Sequence, residues 1–231
     1  MAGNYLRGAF IQLNDSFPLP LPQLILFQYN PETMTHTWTP AQSGGQNSPG
    51  QGPSNPLAIT GPPEESFSFT LFMDSNETIA DNNPVTAPIA IAKGLTPRLA
   101  ALELLLFPAP PPGGGLVGAI SSAITGTSVP PAFIPAAQLP VVFFIWGPGR
   151  VAPVRITGLT ITERLYDSAT LFPIHAEASI QLKALTAPEL NFLDGALGTA
   201  ARAVSLSMSS VRQVLAAANT ATESIAGMLP V

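Results

Sequence analysis

Cysteine is absent from the 231 residues, which removes disulfides and thiolate metal sites and leaves the redox compartment open. Charge is scarce too. Only 10% of the residues are charged, against about 25% in an ordinary soluble protein. Nine lysines and arginines cannot be gathered into the phosphate-binding patch that a nucleic-acid ligand requires. Two histidines, His36 and His175, are too few for a histidine-rich metal centre. No uninterrupted apolar run approaches the length of about 18 residues that a membrane helix needs, because Glu103 and repeated prolines break the greasiest stretches. The opening MAGNYLRGAFIQLND lacks the continuous apolar core of a signal peptide. The expectation is neither leader nor membrane span, and no nucleic-acid ligand.

What is abundant is punctuation. The 26 prolines and 19 glycines confine long helices to a few places and point to a β-rich protein with long loops. A chain of this length buries roughly 70% of its unfolded surface on folding, so size does not prevent a core. The charges that exist are unevenly placed. Residues 1–92 carry one basic side chain, Arg7, against Asp15, Glu32, Glu64, Glu65, Asp74, Glu77 and Asp81, and nothing between Glu103 and Arg150 is charged. An uncharged surface of that extent needs cover from its own fold or from a partner.

Residues 5–13 (YLRGAFIQL) and 24–29 (LILFQY) read as two strands joined through a proline-rich FPLPLPQ. Residues 41–63, dominated by Gly, Pro, Ser, Asn and Gln, read as a loop insertion. ESFSFTLFMD alternates, with Phe67, Phe69, Leu71 and Met73 on one face. Pro97 opens a helical PRLAALELLLF, with Leu99, Leu102 and Leu106 at helical spacing. Residues 108–138 form a second insertion, and the apolar LPVVFFIWG that follows suits a strand buried on both faces. In the next strand Val154 and Ile156 keep one phase while Leu159, Ile161 and Leu165 keep the other, so a bulge at Gly158 is expected. HAEASIQLKAL alternates cleanly, with Ala176, Ala178, Ile180, Leu182 and Ala184 inward. From about residue 191 an alanine-rich segment carries a stripe of Leu197, Ala201, Val204, Met208, Val211, Leu215, Ala218, Thr222 and Ile225, which suits a helix laid against its own barrel or a neighbour.

The chemistry-bearing residues do not assemble into a catalytic pattern. His175 falls on the outward phase of its strand, and no Gly-x-Ser-x-Gly turn is present. Gly113, Gly115 and Gly118 match the spacing of a phosphate-cradling loop but follow prolines instead of a strand. Glu64 with Glu65 reads as a solvated strand entrance, and Asp74 with Glu77 as the flanks of a turn. A scaffold without catalytic residue, cofactor or metal is the expectation.

Taken in order, LRGAFIQL, ILFQYNPETMTHTWTP, PPEESFSFTLFMD, PRLAALELLLFP, PVVFFIWGPGRVAPVRITGLTITERLYD and FPIHAEASIQLKALT resemble the N-terminal tube domain of contractile injection system proteins, baseplate components that in many relatives also carry a LysM module. The likeness spans about residues 5–190, and its most specific elements are the Phe27–Glu32 box and the block opened by Trp146. It implies a mainly β, phage tail-tube-like barrel of two packed antiparallel sheets with a flanking helix in residues 1–190, followed by a helical tail in 191–231. It also implies a hexameric ring between the spike hub and the inner tube, assembled in the bacterial cytoplasm, with itself, hub, tube, baseplate and sheath proteins as partners. The tail stands where relatives continue into LysM, so peptidoglycan binding is not carried over. On this reading Asn30 and Pro31 stop the strand after Phe27 and Tyr29, and Trp38 either packs on a neighbour as part of an arm or covers its own barrel end. Trp146 and the helical residues Val204, Met208, Val211 and Leu215 complete the expected contact set. A different class of protein, a β-sandwich binding module that recognises a ligand or cell surface through its Gly/Pro-rich loops, is the competing expectation.

Overall fold

The computed structural model describes residues 6–12, 23–41, 59, 61–107, 139–193 and 195–222. Most of the 41–63 insertion, all of 108–138 with its Gly113–Gly118 pattern, and Ile225 lie outside the described residues. Among the described residues seven strands build the fold: β1 Ala9–Gln12, β2 Gln23–Leu26, β3 Met34–Thr39, β4 Glu64–Asp74, β5 Val142–Gly147, β6 Arg150–Tyr166 and β7 Pro173–Ala184. They form a single antiparallel sheet in the order β2-β1-β5-β6-β7-β4-β3. The alternation in β4 and β7 is realised as expected, with Phe67, Phe69, Leu71 and Met73 facing the same core as Ala176, Ala178, Ile180 and Leu182. The phase change in β6 is a bulge: Ile156 pairs with Leu182 and Gly158 with Gln181, leaving Thr157 as the extra residue. Leu159 and Ile161 thereby rejoin the core, but Leu165 does not. It lies beyond the buried part of the strand and is exposed.

The expected barrel of two packed sheets is corrected to one sheet that curls and stays open. In sheet order β5 and β4 are three steps apart, about 14 Å if the sheet were flat. Yet Phe144 of β5 lies 5.4 Å from Phe67 and 5.2 Å from Phe69 of β4, ring centre to ring centre. Phe10 and Phe27 join the same aromatic cluster. Full burial of each such ring contributes roughly 1.5–3 kcal/mol, enough for this cluster to hold the curl. The sheet does not close, since β2 and β3 at its two margins do not pair. A helix meets its inner side instead: α3, Thr96–Leu104, sets Leu102 in a small gap shared with Ile25 of β2 and with Leu71 and Met73 of β4. Leu99, Leu102 and Leu105 are buried, and Leu106 packs on the core only in part.

Two further helices, α1 Ser75–Ala80 and α2 Thr86–Lys93, precede α3. The expected turn at Asp74–Glu77 is therefore a helix start. Asp74 is its N-cap, with a carboxylate oxygen accepting from Asn76 N–H at 2.7 Å. The opposite face of the sheet is covered at β5, as the continuous apolar run predicts. Val141 and Phe143 pack beneath Leu190 of α4, Ala187–Leu190, and Ala201 of α5, Gly195–Thr222. The link between these helices is tight. A Cβ on Gly198 would overlap the Leu193 carbonyl oxygen, so only glycine fits there.

Candidate functional site

The Phe-Gln-Tyr-Asn box works first as a clasp within the chain. Phe27 enters the aromatic core and donates its N–H to Gly8 O at 2.9 Å. Asn30 then binds the same segment from the other side, accepting from Gly8 N–H at 2.8 Å and donating to Leu6 O at 2.8 Å. Gln28 points across the opening of the sheet and acts as a four-way hub. Its amide nitrogen donates to Asp74 O at 2.7 Å and to Glu77 Oε2 at 2.8 Å, and its oxygen accepts from Asp74 N–H at 3.0 Å and Arg98 Nη1 at 2.8 Å. The paired bonds to Asp74 reproduce with a side chain what a neighbouring strand would supply. Hydrogen bonds from Tyr29 and Gln28 hold the Glu77 carboxyl below its ordinary value.

At the other end of β4, Glu64 and Glu65 part company, because successive strand residues face opposite sides. Glu64 reaches Lys183 at 2.7 Å on the outer face, and this hydrogen bond raises the lysine's pKa. Glu65 is buried. Its Oε1 meets His36 Nε2 at 2.6 Å, and both its oxygens accept from Arg212 Nη2 of α5 at 2.6 Å. The same guanidinium lies 4.4 Å from the Trp38 ring centre. His36 stacks on Phe67 at 4.4 Å. Trp38 thus lies in β3, paired in register with Glu65, and keeps an exposed face on this edge strand.

Of the expected contact residues, Phe27 and Met208 are buried in this chain's own core. Val204 and Val211 are half-buried, Val204 against the cluster beneath α5. Leu215, Tyr29 and Trp38 retain exposed surface, while Asn30 is exposed with both side-chain polar atoms engaged. Four of the ten come together: Phe27, Asn30, Pro31 and Trp146 line one cavity of about 430 Å³ beside the β5–β6 turn, with Arg7 and Arg150 among the other walls. Arg150 stands 5.3 Å from the Trp146 ring centre, and Trp146 Nε1 is buried without a hydrogen-bond partner among the described residues. Sequence reasoning missed Gln28, Glu65 and Arg212. A lone acid in inward phase beside Phe67 was the available signal for Glu65.

Among the described residues no group of three His, Asp or Glu side chains is placed to hold a metal, and no helix is long and apolar enough to cross a membrane. His175 is half-exposed, with Nδ1 3.5 Å from Asp74 Oδ2. The outer edges of β2 and β3 have no strand partner among the described residues. Leu24 and Leu26 on β2 are exposed, as is β3 from Thr35 to Thr39. No known protein family and no curated protein matches the chain. What the geometry defines is a mainly β protein of one curled, open antiparallel sheet with helices on its margins.

Proposed function

We propose that the chain is a non-enzymatic structural subunit of a contractile injection, phage-tail-like particle. In this role it forms a baseplate ring that adapts the spike hub to the inner tube and gives the tube a surface on which to start. The observation that carries this reading is the pair of open sheet edges. An unpaired edge invites another strand, and proteins that stay apart guard it with lysine, proline or a bulge. Neither β2 (QLIL) nor β3 (MTHTWT) contains lysine or proline. The two edges lie at opposite margins of one sheet, so joining β3 of one copy to β2 of the next is a head-to-tail contact that closes into a ring when the rotation returns to its start. Sixfold closure, and the hub, tube, baseplate and sheath partners with assembly in the bacterial cytoplasm, come from the family resemblance. The carboxylates that could have served chemistry, Glu65, Asp74 and Glu77, are engaged in hydrogen bonds that hold the fold. Electron microscopy of the purified protein is expected to show sixfold rings. A species that stays strictly monomeric at high concentration and is absent from purified particles would overturn the reading.

A further inference from the structure

Two features at opposite ends of the molecule complement each other. β6 runs 17 residues, Arg150–Tyr166, about 55 Å of extended chain. Its first residue follows the Pro148–Gly149 turn beside the 430 Å³ cavity; its last opens the 167–172 turn to β7.

The cavity has apolar walls from Phe27, Met34 and Phe144, with Arg150 at its rim and no acidic residue in its lining among the described residues. The arrangement calls for an apolar group accompanied by negative charge.

The far turn supplies both. Leu165, Tyr166 and Leu171 are 66%, 51% and 75% exposed. Leu165 and Leu171 also have φ of 50° and 56°, a left-handed backbone that costs an ordinary residue about 1–2 kcal/mol and is concentrated where a fold presents a functional group. The turn is well ordered by Asp167, whose Oδ1 accepts from Ala169 N–H at 3.0 Å, Thr170 N–H at 2.8 Å and the Thr170 hydroxyl at 2.9 Å. Around it stand Glu163, Asp167 and Glu177 against one arginine, Arg164, already 3.1 Å from Glu177.

We propose that this turn of one copy docks in the Trp146 cavity of another, an exposed leucine entering the apolar walls while acidic groups of the tip face Arg150. Because the two surfaces lie at opposite ends of β6, the contact is heterologous and repeats as a stack along that strand. The inference deepens the ring reading by adding an axial contact to the lateral one, and it rests on that reading only for its place in a particle.

The test uses the full chain with charge-reversed variants at the two surfaces. In sedimentation over a concentration series, Arg150→Glu alone and Glu163→Arg alone are each expected to weaken head-to-tail association at least tenfold. An equimolar mixture of the two is expected to restore it, since every pocket then finds a tip of opposite charge. Circular dichroism checks that each variant is folded, and restoration in the mixture excludes misfolding as the cause of the loss. Association that is unaffected by either variant, a mixture that does not recover, or a wild-type chain that never stacks overturns the proposal. Microscopy separates the two readings: single-layer rings without stacks remove the axial contact alone, whereas stacks without rings remove the ring reading alone.

Discussion

The two ends of β4 are fastened by networks built in opposite ways. At Asp74 the fastener is a neutral amide, Gln28, whose four hydrogen bonds draw the segment after β2 to β4, α1 and α3. At Glu65 it is a buried carboxylate gripped by one arginine from α5 and one histidine from β3. A neutral hub satisfies its neighbours without the desolvation cost of charge, and every bond it makes is local to the opening of the sheet. A buried ion pair stabilises little relative to an apolar pair but punishes the loss of one member. The first arrangement therefore holds the fold, and the second chiefly fixes where the long helix lies.

Gln28→Ala separates these roles most strongly. It strands the Asp74 N–H, leaves the Asp74 carbonyl with the longer 3.4 Å bond from the Thr78 hydroxyl, and leaves Arg98 short of an acceptor inside a half-buried site. With unsatisfied buried groups costing about 1–3 kcal/mol each, partly recovered by water, a loss of about 3 kcal/mol is expected. The denaturant midpoint measures it, and a change below about 1 kcal/mol would mean that the clasp is decorative. Arg212→Met ranks second, at about 2 kcal/mol, because the arginine is partly exposed and His36 still reaches Glu65. Adding Glu65→Gln to Arg212→Met is expected to recover part of that loss. If the double variant is as unstable as the sum of the singles, the pair is not coupled and the helix is held by packing alone.

The same contrast shows why some of the fold was legible in the sequence and some was not. Strands with period-two alternation, β4 and β7, and the two-sided β5 are set by burial that one residue series encodes. The bulge at Thr157 was readable because the phase of five apolar residues changes across Gly158. The helix α2 was not, since TAPIAIAK contains a proline and alternates like a strand, and its helical state depends on α1 and the Asn83 side chain that accepts from Val85 N–H at 2.9 Å. Closure was misjudged because it depends on how far the sheet curls, a collective property of distant rings such as Phe144 and Phe69. The site residues divide in the same way. Aromatics around a turn marked the 27–30 box as special, but nothing in one sequence shows that Gln28 finds Asp74 forty-six positions away.

The smallest effect expected belongs to the β6–β7 turn, and it sharpens the comparison because here a carboxylate works at the surface. The Asp167 carboxyl is held below its ordinary value, first by the Thr170 N–H, then by the Thr170 hydroxyl and the Ala169 N–H. A depressed folded value means that the ionised form binds these donors, so its contribution to stability is fully present above the unfolded value of about 3.9 and is lost as the pH falls through the folded one. The stability difference between wild type and Asp167→Ala should accordingly be constant near neutrality and shrink only in that acid window. The amide shifts of Ala169 and Thr170 should titrate together with an apparent pKa below 3.9. An apparent value at or above the ordinary one, or a difference that persists unchanged into strong acid, would show that the turn keeps its shape without the charge. The leucines at its tip would then be held by backbone bonds such as Leu171 N–H to Asp167 O at 2.9 Å.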